Sequence, residues 1–316
     1  MRPISAIAFA LLTLMMPHAQ AQQPDTVNVT YVASPFNVPA IVMRAKGYLE
    51  EVFARKGIEV QSHEITSGAQ QVQALAAGAI DIATVLGGTS AILGRANGAD
   101  LQVISAFSRS PEAFFIMSMP DGPATIEELE GKTVAGPKGT TLNQLLAAAL
   151  ASKDMTLDDV QHLNMDLPDA RQALLSGQVN AATLAGNNAL AVEAAGGKAI
   201  VSGEGLIDPT SVIAVRGEFL REHPDLVEAY LDAHHRALDF MAENPAEAVA
   251  LAAEEQKISI ADAERMLTWY DFSPRMTDKD VASLEADQAF MVAVGMLEKT
   301  IDVRRDMIAP MAFEAR

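Results

Sequence analysis

Four short segments gather most of the residues whose types could do chemistry: Ala33-Ser34-Pro35-Phe36-Asn37-Val38-Pro39, Thr66-Ser67-Gly68, Gly87-Gly88-Thr89-Ser90 and Pro137-Lys138-Gly139-Thr140-Thr141. Each sets hydroxyls, amides or bare backbone where a strand-like run gives way to a helical pattern. The first N–H groups of a helix have no acceptor within it, and the aligned peptide dipoles make that end positive. Such ends hold an oxyanion without a buried cation. One Ser or Thr at such a place is an ordinary helix cap; four on one chain point to an anion site.

Other chemistries fail on spacing. His63-Glu64 is followed by Ile65-Thr66-Ser67 and so lacks the second histidine of a zinc helix. His234 and His235 are adjacent, and neighbours on a helix point to different sides. The Lys138-Gly139-Thr140 run lacks the GxxxxGK frame of a phosphate loop, and neither GxSxG nor GxGxxG occurs. Asp81, Asp166 and Asp169 sit where strand ends or caps solvate them. With no cysteine the chain has no disulfide, no thiolate metal site and no catalytic thiol. No catalytic set, metal or cofactor is expected.

The elements that must position these segments repeat. Residues 74–88 read ALAAGAIDIATVLGG and residues 173–187 read ALLSGQVNAATLAGN, aligning Gly78 with Gly177, Asp81 with Asn180 and Gly87 with Gly186. Ahead of the first copy lie a strand at Val27 to Ala33, a helix at Pro39 to Ala54 and a strand at Ile58 to Glu64. Ahead of the second lie a strand at Lys132 to Gly136, a helix at Thr141 to Ala151 and a strand at Val160 to Met165. Both halves read β-α-β-α-β, which predicts two α/β lobes with parallel sheets and ligand chemistry at the strands' carboxyl ends. Beyond residue 216 the pattern turns helical and is expected to pack on the first lobe.

A chain of 316 residues with 49% hydrophobic and 20% charged content buries a core, and its net charge of -18 disfavours nucleic acid and anionic membranes. Arg2, the apolar run from Ile4 to Met16 and Ala19-Gln20-Ala21 read as a cleavable export signal over residues 1–21. No cysteine is available for a lipid anchor, so a free protein of a periplasm is expected.

Taken in order, SGAQQVQALAAGAIDIATVLG, IEELEGKTVAGPKGTTLNQLLAAAL, DARQALLSGQVNAATLAGNNA, DPTSVIAVRGEFLREHPDLVEAYLDAHHRAL and IDVRRD resemble the periplasmic binding proteins of aliphatic-sulfonate, taurine and nitrate ABC transporters. The resemblance implies a type II periplasmic binding fold, two Rossmann-like lobes on a two-strand hinge. Lobe 1 would take residues 22–109 and 209–316, and lobe 2 residues 110–208. It carries ligand contact to Ser34, Asn37, Ser67, Gly68, Gly88, Thr89, Thr140 and Thr141. Asn187 and Asn188 stand where relatives often have tryptophan and proline, giving a more polar wall. Ser211 aligns with the acid that taurine proteins set against the ligand amine, favouring an uncharged-tail sulfonate. Phe36 is expected either to cover an apolar tail or to lie in the core, and Arg109 either to contact ligand or to serve the hinge. The expected partners are a small organic anion and an inner-membrane ABC permease, with the protein a monomer. Nitrate, a carboxylate or a pyrimidine-like heterocycle is the alternative cargo, and an enzyme on this fold the alternative class.

Overall fold

The computed structural model describes residues 23–314; the export signal read at 1–21 lies outside them. The chain first runs β1 (Thr26–Tyr31), α1 (Val38–Ala45), α2 (Tyr48–Ala54), β2 (Glu59–Glu64), α3 (Gly68–Ala76), β3 (Ile82–Gly87), α4 (Gly88–Ala96) and β4 (Leu101–Arg109). A second series follows: β5 (Phe114–Ser118), β6 (Thr133–Gly136), α5 (Thr141–Ala151), β7 (Gln161–Asn164), α6 (Leu167–Leu175), β8 (Ala181–Ala185), α7 (Asn187–Ala194) and β9 (Lys198–Ser202). The return strand β10 (Thr210–Arg216) leads into α8 (Gly217–Glu222), α9 (Pro224–Glu243), α10 (Pro245–Gln256), α11 (Ile260–Leu267) and α12 (Asp278–Ala293).

Two five-stranded sheets result, in the orders β2-β1-β3-β10-β4 and β7-β6-β8-β5-β9. They are type II lobes with the same layout. The sequence pattern predicts parallel sheets, but β10 runs antiparallel to β3 and β4, and β5 runs antiparallel to β8 and β9. The cause is connectivity: each of these strands enters its sheet from the other lobe and starts at the edge where its neighbours end.

Burial follows composition. The central strands β3 (IATVLG) and β8 (AATLA) are nearly wholly buried, as apolar runs covered on both faces must be, whereas the edge strands β2 (EVQSHE) and β7 (QHLN) are largely exposed. The internal repeat has one structural job. Gly78 and Gly177 end α3 and α6 with left-handed φ values of 70° and 72°, which only a residue without Cβ adopts freely. Asp81 then accepts the Asn28 N–H at 3.0 Å, and Asn180 accepts the Thr133 N–H at 3.0 Å. Both tie the approach to a central strand onto the strand beside it.

The helix expected over Pro39 to Ala54 is two helices, because Gly47 takes a left-handed φ of 65° between them. On α9, Leu226, Val227, Tyr230, Leu231, Ala233, His234 and Ala237 form one buried stripe at helical spacing. That stripe joins Phe36, Phe53 and Phe107 in the largest apolar cluster, under α1, α2 and α10. Each fully buried Leu or Val here contributes about 1.5–3 kcal/mol. The helical tail therefore does pack on the first lobe. It also reaches the second, which its periodicity does not reveal.

Candidate functional site

The register fixes where the sheets meet. Thr210, the first residue of β10, lies opposite Arg109, the last of β4. Phe114, the first of β5, lies opposite Ala185, the last of β8. Both crossings between lobes therefore join the carboxyl ends of one sheet's parallel strands to those of the other. The turns leaving β1, β2, β3, β6, β7 and β8 lie on the cleft side; five of the six enter α1, α3, α4, α5 and α7, and the sixth, from β7, enters α6.

These five helices share a property that none of the other seven α-helices among the described residues has. No Asp or Glu occupies the first turn of α1, α3, α4, α5 or α7. Every other one carries a carboxylate there: Glu50 and Glu51 on α2, Asp169 on α6, Glu218 on α8, Asp225 on α9, Glu247 on α10, Asp262 on α11, and Asp278 and Asp280 on α12. An acid in the first turn satisfies the positive end of the dipole. In a chain with 41 acidic residues, five of the six helix ends on the cleft side carry no acid in their first turn. The contrast is sharpest between α3 and its repeat partner α6, where Asp166 caps the helix by accepting the Asp169 N–H at 3.1 Å.

Close approaches gather these ends. A Cβ on Gly68 would lie 2.3 Å from Ser90 Oγ, so only glycine lets the starts of α3 and α4 touch. One on Gly186 would lie 2.9 Å from Pro35 Cβ, which seats the start of α7 in the second lobe against the β1–α1 loop of the first. Ser211 pairs with Gly87, at the start of α4, and with Ser108. Ser34 and Thr141 are partly exposed and Ser67 exposed, while Thr89 is buried at the α4 start.

Several residues singled out in the sequence have contacts within the scaffold. Phe36 is completely buried and lies 5.9 Å from Tyr270, so of the two expectations the core one holds. The Asn37 side-chain amide donates to the Val32 and Ser34 carbonyls at 2.9 and 3.0 Å, tying the first loop together. Thr140 caps α5, accepting the Leu142 N–H at 3.2 Å and donating to the Pro137 carbonyl at 2.9 Å. A Cβ on Gly88 would meet Leu284 of α12 at 2.4 Å and the Thr210 carbonyl at 2.8 Å, so this glycine serves close packing.

Arg109 takes the hinge role. Its guanidinium donates to both oxygens of Asp280, at 2.5 and 2.6 Å, and to the Ser273 and Arg275 carbonyls at 2.9 Å. Burial alone would lower the Arg109 pKa, but Asp280 outweighs it and raises it. On Asp280, burial pulls upward, yet the hydrogen bonds from Arg109 and Thr277 hold the carboxyl below its usual range. This pair clamps α12 to the end of β4.

The tail supplies contacts across the cleft that the sequence reading omits. Asn187 Nδ2 donates to Gln256 Oε1 at 2.8 Å, and Gln256 Nε2 donates to the Ala33 carbonyl at 2.8 Å. Asn188 donates to Asn187 at 3.2 Å, so both asparagines belong to this bridge between lobes. Trp269 packs edge-on against Phe115 with ring centres 5.5 Å apart, and Arg265 pairs with Glu193 of α7 at 2.7 Å. Beside the crossings, Gln144 of α5 donates to Asp287 of α12. A cavity of about 430 Å³ opens there, with Pro111, Leu206, Ile207 and Phe290 in its walls.

Among the described residues no group of three or more His, Asp or Glu is placed to hold a metal ion, and no helix is long and apolar enough to cross a membrane. Two lobes with matching mixed sheets, joined by paired crossings and opposed at their strands' carboxyl ends, define the class of the periplasmic binding fold. Residues 35–248 match the family described as NMT1/THI5 like, and the chain belongs to that family. A candidate aliphatic sulfonates-binding protein of Bacillus subtilis is 28% identical over 272 residues, covering 84% of this chain and 81% of that protein. The alkanesulfonate-binding protein of Xanthomonas axonopodis pv. citri, solved bound to MOPS, superposes with a TM-score of 0.80 at 22% identity, covering 92% of this chain and all of the other. The desulfurization enzyme DSZB, solved as a cysteine-to-serine variant with biphenyl-2-sulfinic acid, shares the fold with a TM-score of 0.69 at 15% identity, covering 92% and 98%.

Proposed function

We propose that this protein is the periplasmic capture component of an ABC importer and closes its lobes on a small organic anion, an aliphatic sulfonate first among candidates. The observation that carries this reading is the missing first-turn carboxylate on five of the six helices that start on the cleft side and on no other α-helix among the described residues. A sulfonate has three oxygens and a delocalised charge, which suits several converging N–H groups and hydroxyls without a salt bridge. Arg109 is committed to Asp280, which leaves the anion's charge to the helix ends, to neutral donors and to Lys138 of the β6–α5 turn. The sulfonate-binding relatives support this choice of ligand. Sequestration by hinge closure fits a ligand site built from both lobes.

A cysteine-dependent reaction like that suggested by the DSZB variant has no nucleophile in a chain with no cysteine. The experiment that tests the reading is a thermal-shift panel of alkanesulfonates, sulfate esters, nitrate, carboxylates and heterocycles. Short alkanesulfonates should give the largest stabilisation. A response confined to heterocycles or cations would overturn it.

A further inference from the structure

The contact between Gln144 and Asp287 joins the two lobes beside the crossings, one turn along α5 from its first residue Thr141. Gln144 belongs to α5 of the second lobe, and Asp287 to α12, which packs on α4 and β10 of the first. Asp287 is 4% exposed and Gln144 8% exposed. The amide uses its Nε2 on the carboxyl, and its Oε1 is buried without any hydrogen-bond partner. An acceptor left unmatched beside a carboxylate is the arrangement that one proton repairs.

The surrounding charges leave Asp287 uncompensated. Asp208, on the crossing into β10, adds a second carboxylate to the same cavity wall. Lys279, on the same helix as Asp287, is turned to Asp208 at 3.3 Å. On α12, Asp280 is held by Arg109, and Glu285 is exposed. The crossings carry exposed Glu112 and Glu204, and α5 carries no charged residue. Ser283 spends its hydroxyl on the Asp208 carbonyl at 2.6 Å.

We propose that Asp287 and Gln144 form a proton-controlled clasp between the lobes, closed as a two-bond acid–amide pair when Asp287 is protonated and loosened when it ionises. In the closed form Gln144 Nε2 donates to one carboxyl oxygen while the Asp287 O–H donates to Gln144 Oε1. Ionisation removes that second bond and leaves a buried charge facing Asp208. Burial, with Asp208 adding to it, pushes the Asp287 carboxyl up to about 6, against the opposing hydrogen bond from Gln144. Opening exposes the carboxyl and returns it to its ordinary value. The closed-to-open ratio of the empty protein therefore rises about tenfold between pH 7.5 and pH 5, the change setting in as pH falls through about 6. The clasp goes beyond the ligand assignment and stands whichever anion the cleft takes.

The test is lobe separation in the ligand-free protein from pH 4.5 to pH 8. It is read by small-angle scattering and by dyes on single cysteines introduced into each lobe of this cysteine-free chain. Wild type should close as pH falls. Asp287→Asn preserves shape and supplies a permanent N–H donor to Gln144 Oε1, so it should remain in the low-pH state throughout. Gln144→Leu removes the bond that opposes the upward shift, so it should favour the open form at neutral pH and close at a higher pH than wild type, and urea titration checks that both variants are folded. A wild type whose separation does not change with pH, or an Asp287→Asn protein that retains the wild-type titration, would overturn the proposal.

Discussion

His234 offers a test of the core with the sign and size worked in advance. Its ring is fully buried on α9, lies 5.7 Å from Phe107, and has no hydrogen-bond partner at either nitrogen. Burial, with a smaller contribution from His235, lowers its pKa to about 3. The unfolded chain binds this proton near pH 6.5 and the folded chain does not. The stability due to this neutral ring is therefore fully present above pH 6.5 and is lost progressively as pH falls toward 3. At pH 5 the loss is about 2 kcal/mol. Asp287 has the opposite sign, because its folded pKa of about 6 lies above the unfolded value: its burial costs stability at neutral pH and that cost fades on acidification. Comparing His234→Phe with wild type by urea unfolding at pH 8 and pH 5 isolates the histidine. The variant should gain about 2 kcal/mol relative to wild type on going to the lower pH, and its buried orphan nitrogens are gone at both. An unchanged difference between the two pH values would refute the burial of a neutral histidine.

Three further outcomes follow from the site. Breaking the buried Arg109–Asp280 pair with Asp280→Asn should cost about 3 kcal/mol or more in a denaturant titration while leaving the order of ligand preference in the panel unchanged. Gly186→Ala places a methyl 2.9 Å from Pro35 and strains a left-handed φ of 54°, so scattering should show a more open protein and calorimetry a weaker ligand affinity. Gln256→Ala removes the link from Asn187 to the Ala33 carbonyl, and should raise the rate of ligand release more than it changes thermal stability.

The repeat and the strand-to-helix turns were legible in the sequence because their signals are local. Gly78 and Gly177 must end helices, and the apolar runs of β3 and β8 must be central strands. The antiparallel sense of β5 and β10 is not local: it depends on which sheet each strand joins after the chain has crossed. The site was legible in its loops and less so in its individual side chains. Thr140, Asn37 and Phe36 have the right types in the right turns, but cap, loop and core roles use those same types. Gln256 and Trp269 lie in a helical tail whose periodicity shows the face buried on the first lobe and gives no sign of the second. One signal was available and went unused, namely the distribution of acids over first turns, since Asp169 follows Asp166 on α6 while α3 begins Gly68-Ala69-Gln70.

That distribution sets the most direct measurement of the anion site: the affinity of a short alkanesulfonate, by calorimetry, for Ala69→Asp and Thr141→Asp. Each variant places a carboxylate in a first turn that lacks one. A unit charge about 4 Å from the anion at an effective dielectric of about 20 costs about 4 kcal/mol, close to a thousandfold in affinity. The same carboxylate interacts favourably with the helix end and should stabilise the unliganded fold by about 0.3–1 kcal/mol. The account predicts weaker binding together with a slightly higher melting temperature. Unchanged sulfonate affinity in both variants would contradict it.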